Sequence, residues 1–181
     1  MIVWIASYPK SGNTWIRSFL YSLLFSNEHM PDLDKIDIID QYPARKHFKK
    51  YVTNFNNFKE ISKYWNKSQS DINIDKEIKF LKTHHINCKI DNNQFTDLKN
   101  TLGVIHIVRD PRNVITSLKN HYSKKDYFEA YDFISDPLHC IDIENKSHLK
   151  LKKEMILNTL ISSWNNHYNS WKNFSNNYLL I

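Results

Sequence analysis

The sequence predicts an α/β fold of three layers, with a central, mostly parallel sheet flanked by helices. Three observations carry this. An apolar run, Ile2 to Ser7, is followed by a short loop and then by an apolar stretch with helical spacing. A second apolar run, Leu102 to Val108, stops at Arg109-Asp110-Pro111, where proline suits the first position of a new helix. Strands that alternate with helices build layers around a largely parallel sheet. At 181 residues the chain fits one domain, 1–181, long enough for a real core.

Ile2 to Ser7 reads as a buried strand. Trp15, Phe19, Leu20, Leu23 and Leu24 recur at helical spacing within Trp15 to Phe25, predicting an amphipathic helix that packs on the sheet. Residues 27–78 are polar, dotted with aromatics and irregular, with room for short helices such as Phe55 to Trp65. Ile78 to Thr83 reads as a strand that runs into Lys82-Thr83-His84-His85. Leu102 to Val108 is the clearest buried strand, and Arg112 to Tyr122 its following helix. Residues 122–153 read as polar and loop-rich. Leu157, Leu160, Ile161, Trp164, His167, Tyr168 and Trp171 predict a helix over Met155 to Phe174, and Tyr178 to Ile181 begins a strand.

The loop Tyr8-Pro9-Lys10-Ser11-Gly12-Asn13-Thr14-Trp15 holds one of only two glycines in the chain. It places a lysine, two hydroxyls and several backbone N–H groups at a helix N-terminus. Unpaired N–H groups, a helix dipole and a lysine together make an anion site, and phosphate is the usual anion. The arrangement is P-loop-like, but the lysine precedes the glycine by two residues, so the Gly-Lys-Ser/Thr order of a Walker A loop is absent. Nor is there a Gly-x-Gly-x-x-Gly dinucleotide fingerprint.

Tyr8 to Trp15 resembles the 5′-phosphosulfate loop of the sulfotransferases that use 3′-phosphoadenosine 5′-phosphosulfate (PAPS). It matches the pattern Tyr-Pro-Lys-Ser-Gly-Thr-Thr-Trp with one change, Asn13 for threonine. The resemblance extends to the 3′-phosphate motif of that family. Arg109, Pro111 and Ser117 stand at its spacing, with the arginine at a strand end and the serine about two turns into the next helix. A guanidinium there can hold a phosphate bidentately. A third match is Lys82-Thr83-His84, a strand-end triplet whose histidine is the family's base.

The resemblance implies a PAPS-dependent transfer of a sulfuryl group to a hydroxyl or amine. It assigns catalysis to His84, Lys10 and Lys82. Donor binding falls to Lys10, Ser11, Gly12, Asn13, Thr14, Trp15, Arg109 and Ser117, with Trp15 against the adenine. No metal is required. His85 competes with His84 for the role of base, because adjacent strand residues point to opposite faces and only one can reach the site. His106 falls on the strand with Val104 and Val108 and reads as core, or as support for the site. The Trp164, His167, Trp171 stripe is explained by helical packing.

The formal net charge of +6 points to anionic partners, although a chain this rich in Lys, Asn, Ile and Tyr also reads as coding bias. No basic stripe with interleaved aromatics indicates a nucleic-acid binder. Cys88 and Cys140 lack metal-type spacing and fit a reduced, cytoplasmic setting without a disulfide framework. The nine histidines form no His-x-x-x-His pair that would suggest a metal site. No signal peptide or membrane span is legible.

A small molecule or glycan is the expected acceptor. The segments facing it are 27–78 and 122–153, where Tyr42, Phe48, Tyr51, Phe55 and Trp65 either line a pocket or pack a surface loop. Two other readings stay open: a kinase-like phosphotransferase, and a catalytically incomplete nucleotide-binding fragment. The second arises because the family's donor-closing Arg-Lys-Gly-type segment is not in the sequence, which ends at Tyr178-Leu179-Leu180-Ile181 as if truncated.

Overall fold

Side-chain alternation along the first strand divides the interior in two. Ile2, Trp4 and Ala6 of β1 (Ile2–Ser7) face one layer, and Ile5 faces the other. The computed structural model describes residues 1–27, 30–141, 157–172, 174 and 177–181. After β1 come α1 (Asn13–Leu24), β2 (Asp40–Gln41), α2 (Phe58–Ser62), α3 (Trp65–Ile72) and β3 (Lys79–Thr83). Then follow β4 (Lys89–Ile90), β5 (Asn93–Gln94), β6 (Thr101–Ile107), α4 (Pro111–His121) and α5 (Tyr127–Ser135). The order closes with β7 (Cys140–Ile141), β8 (Thr159–Leu160), α6 (Trp164–Lys172) and β9 (Tyr178–Leu180).

The main sheet has five strands in the order β2-β3-β1-β6-β9, and every pairing is parallel. This is the α/β fold the sequence predicts. One face packs Trp4, Leu81 and Val104 against Tyr42, Phe48, Trp65, Phe95 and Trp171. The other packs Ile5 and Ile107 against Leu20 and Ile39. A third cluster, built from Tyr8, Val114, Leu118, Ala130, Phe133, Ile134 and Ile161, joins α4 and α5 to the start of the anion loop. Gly103 is required on β6, because an added Cβ would stand 2.8 Å from the Asn177 backbone oxygen beside β9.

Several expectations need correction. In α1 only Leu20 of the predicted stripe is buried. Trp15, Phe19 and Leu23 are 75%, 60% and 55% exposed. The inward face instead carries Arg17, Ser18 and Tyr21, and the Arg17 guanidinium donates to the backbone oxygens of Ile36 and Ile39 at 2.8 Å each. The predicted helix over Met155 to Phe174 is only Trp164–Lys172. Thr159 and Leu160 are extended and pair with β7, and Ser162 at φ 61° breaks any helix entering from them. Met155 lies outside the described residues.

Within the segment predicted loop-rich, α5 is a helix; residues 142–153 lie outside the described ones. Its N-terminus is capped by Asp126, which accepts from the Glu129 N–H at 3.0 Å. Tyr42, Phe48 and Trp65 are neither pocket lining nor loop packing. All three are fully buried in the principal core, with Tyr51 and Phe55 packed against it.

Candidate active site

The carboxyl ends of β1, β3 and β6 meet at one cavity of about 440 Å³. Parallel sheets bind ligands at this end because the strand-to-helix loops and helix N-termini converge there. After β1 the chain turns through Tyr8, whose hydroxyl lies 3.2 Å from the backbone oxygens of Phe133 and Ser162. Lys10 at φ 68° and Gly12 at φ 110° fold the loop back on itself. A Cβ at Gly12 would meet only Ile107 Cγ2, at 4.0 Å, so backbone conformation rather than crowding calls for glycine. The Ser11 N–H donates to the Tyr8 oxygen at 3.3 Å.

α1 then starts with no side-chain cap and no acid in its first turn. The Trp15 and Ile16 N–H groups donate to the Gly12 oxygen, and the two N–H groups before them, of Asn13 and Thr14, stand at the cavity at the positive end of the helix dipole. The Asn13 side chain turns away from them. Its amide donates to the Ile5 oxygen at 3.3 Å and to Ser7 Oγ at 3.1 Å, which leaves the backbone N–H as its donor on the loop. The Ser11 hydroxyl is buried without a hydrogen-bond partner.

Two cations flank the loop. Arg109 Nη1 donates to the Lys10 backbone oxygen at 3.1 Å, so the turn after β6 is tied to the anion loop two residues before Gly12. Burial, and then the Arg109 charge, hold the Lys10 ammonium below its ordinary pKa. Ser117 of α4 and Lys82 of β3 line the same cavity, and Lys82 Nζ donates to Gln41 Oε1 at 2.9 Å. No carboxylate is among the described lining residues. Thr14 and Trp15 complete the lining at the head of α1.

The two neighbouring histidines separate cleanly. His84 lines the cavity, and its Nδ1 lies 2.7 Å from the Ser7 backbone oxygen and 3.2 Å from Ser7 Oγ. His85 is buried and stacked on Phe95 with ring centroids 4.3 Å apart. Burial lowers its pKa to about 4, so it stays neutral. His106 is also buried, bonded through Nδ1 to the Tyr178 hydroxyl at 2.7 Å. His167 sits behind the site, where its buried ring hydrogen-bonds the backbone of His84.

Across nearly the whole chain, residues 2–180, the sequence matches the family model of the sulfotransferase domain. The chain belongs to the sulfotransferase family. No curated protein matches it.

In this sulfotransferase the residues expected to act together do line one cavity: Lys10, Gly12 to Trp15, Lys82, His84, Arg109 and Ser117. Ser11 lies just behind, against a small void shared with His106 and His167. Among the described residues no group of three or more His, Cys, Asp or Glu could hold a metal ion. Nor is any described helix long and apolar enough to cross a membrane. Gln41, His121 and Thr159 also line the cavity and escaped the sequence reading. His121 was within reach, since it follows Ser117 by one helical turn.

Proposed function

We propose that this sulfotransferase takes a sulfuryl group from PAPS and transfers it to a hydroxyl or amine, with His84 as base and Lys10 and Lys82 as the cations at the reacting centre. The observation that supports this best is the convergence of Lys10, Lys82, Arg109 and His84 on a cavity with no carboxylate among its described lining residues. Such a lining suits an anion. The residues fit the donor on their own chemistry. The uncapped start of α1 and the Lys10 ammonium suit a 5′-phosphate, whereas the buried Ser11 hydroxyl faces the void behind the loop. Arg109 and Ser117 suit a second phosphate at the β6 end, and the exposed Trp15 indole offers a flat surface to an adenine.

The donor supplies the activated sulfuryl group; the protein supplies position and charge. Arg109 and the loop fix both ends of the nucleotide. His84 takes the proton that the acceptor loses as its oxygen or nitrogen bonds to sulfur. Lys10 neutralises the charge that collects on the phosphate oxygen as the old sulfur–oxygen bond breaks. Lys82 steadies the transferred group between them.

The test is a titration with 3′,5′-bisphosphoadenosine against ATP, followed by transfer from labelled PAPS. Preference for the bisphosphate with label transfer supports the reading. Preference for ATP with phosphoryl transfer replaces it with a kinase-like one.

A further inference from the structure

The carboxyl edge of the sheet sets an order along the cavity. Arg109 follows β6, the anion loop follows β1, Lys82 and His84 stand at β3, and Gln41 stands on β2 beyond them. The donor-holding groups occupy the β6 and β1 end. A group transferred at β3 therefore meets an acceptor arriving from the β2 side, where Gln41 waits.

Gln41 and Lys82 are register partners across the parallel β2–β3 pair, so their side chains share a face. His84, two residues past Lys82, returns to that face. Gln41 Oε1 is engaged by Lys82 Nζ at 2.9 Å, which fixes the amide and leaves its NH₂ as the group it can present. It can donate to an acceptor's oxygen and has little to give an apolar ring.

Charge and shape narrow the acceptor further. Lys10, Lys82 and Arg109 repel an ammonium, and no carboxylate among the described lining residues offsets them. Tyr42, Phe48 and Trp65 are buried in the core. The indole and phenol rings among the described lining residues, those of Trp15 and Tyr122, belong to α1 and the end of α4 rather than to the β2 side, where no slot for a flat phenol is built.

We propose that Gln41 is an acceptor-binding residue, and that the acceptor is a neutral, polyhydroxylated molecule of sugar type. One hydroxyl is sulfated at His84 while a neighbouring oxygen accepts from the Gln41 amide. This rests on the sulfuryl-transfer reading and goes beyond it in naming the acceptor's chemistry.

The test measures transfer from labelled PAPS to a methyl glycoside, to the matching amino sugar and to 4-nitrophenol. Wild type is compared with Gln41→Leu, and bisphosphate binding is measured alongside. The glycoside is expected to win in kcat/KM. Gln41→Leu is expected to cut the glycoside-to-phenol ratio by about tenfold, mainly through the glycoside KM, as loss of one hydrogen bond would. Bisphosphate affinity is expected to persist, which shows the variant folded. Preference for the phenol or the amine overturns the proposal. So does a Gln41→Leu variant that keeps the wild-type ratio. Bisphosphate binding without transfer to any of the three overturns it too, leaving the donor assignment in place. Loss of bisphosphate binding by wild type sinks the transfer reading itself.

Discussion

His84 Nδ1 lies 2.7 Å from the backbone oxygen of Ser7. A carbonyl oxygen only accepts, so Nδ1 carries the proton and Nε2 is the basic nitrogen. The last residue of β1 thus sets the tautomer of the proposed base at the end of β3. His84→Ala is expected to abolish transfer while bisphosphate affinity changes little. His85→Ala is expected to do something else: it removes a ring stacked on Phe95 and should cost about 3 kcal/mol of stability, as core aromatic truncations do. Chemical denaturation beside a transfer assay separates the two. If His85→Ala alone ends transfer in a protein of wild-type stability, the base is misassigned.

Asn13 extends the same link. It donates to Ser7 Oγ, which in turn contacts His84 Nδ1, so the head of α1 and the base share one residue. Asn13→Ala is expected to lower kcat about fivefold, in line with one neutral hydrogen bond, and to shift the acidic limb of its pH profile. A pH profile identical to wild type would reduce Asn13 to a structural tie.

Lys10→Ala is expected to cut kcat by roughly 10²- to 10³-fold, the usual effect of removing one preorganised charge donor. Single-turnover transfer reads it directly. Near-normal turnover would take Lys10 out of the chemistry.

Arg109→Ala is expected to weaken 3′,5′-bisphosphoadenosine far more than the 5′-monophosphate. The Arg109 fork also holds the Lys10 carbonyl, so both ligands should lose some affinity. Calorimetric titration gives the ratio, and an equal loss for both would place Arg109 elsewhere than the 3′-phosphate.

Stability is expected to fall as the medium is acidified from about pH 6.5 towards 4. Burial lowers the His85 and His106 pKa values from 6.5 to about 4, and that of His167 to about 3. In this window the unfolded chain binds protons that the folded chain refuses, so protonation favours unfolding. The stabilisation is complete above the unfolded value and drains away below it, each site being worth on the order of 3 kcal/mol. Urea midpoints at pH 7.5, 6 and 5 check this. Flat midpoints would mean that these rings protonate in place.

The parts of the fold carried by short-range signals were legible. Buried parallel strands read as apolar runs, so β1 and β6 stood out, and the anion loop is contiguous. The rest depends on partners distant in sequence. Arg17 looks like a solvent-facing residue until the carbonyls of Ile36 and Ile39 fold over it. That turns the expected faces of α1 and leaves its apolar stripe, Leu20 apart, outside. Gln41 has no motif of its own, and only its register with Lys82 brings it to the cavity. By contrast, α5 could have been found from Asp126 and Glu129, which stand at capping-box spacing.

The outward turn of Trp15 gives the protein a native optical probe. Trp4, Trp65 and Trp171 are sealed in the core and Trp164 is half-buried, so the red edge of the emission belongs to the indole at the mouth of the cavity. A purine settling on that ring would quench this edge and leave the blue side of the spectrum in place. Nucleotide occupancy could then be followed in real time with no label, and a Trp15→Phe variant would supply the silent control.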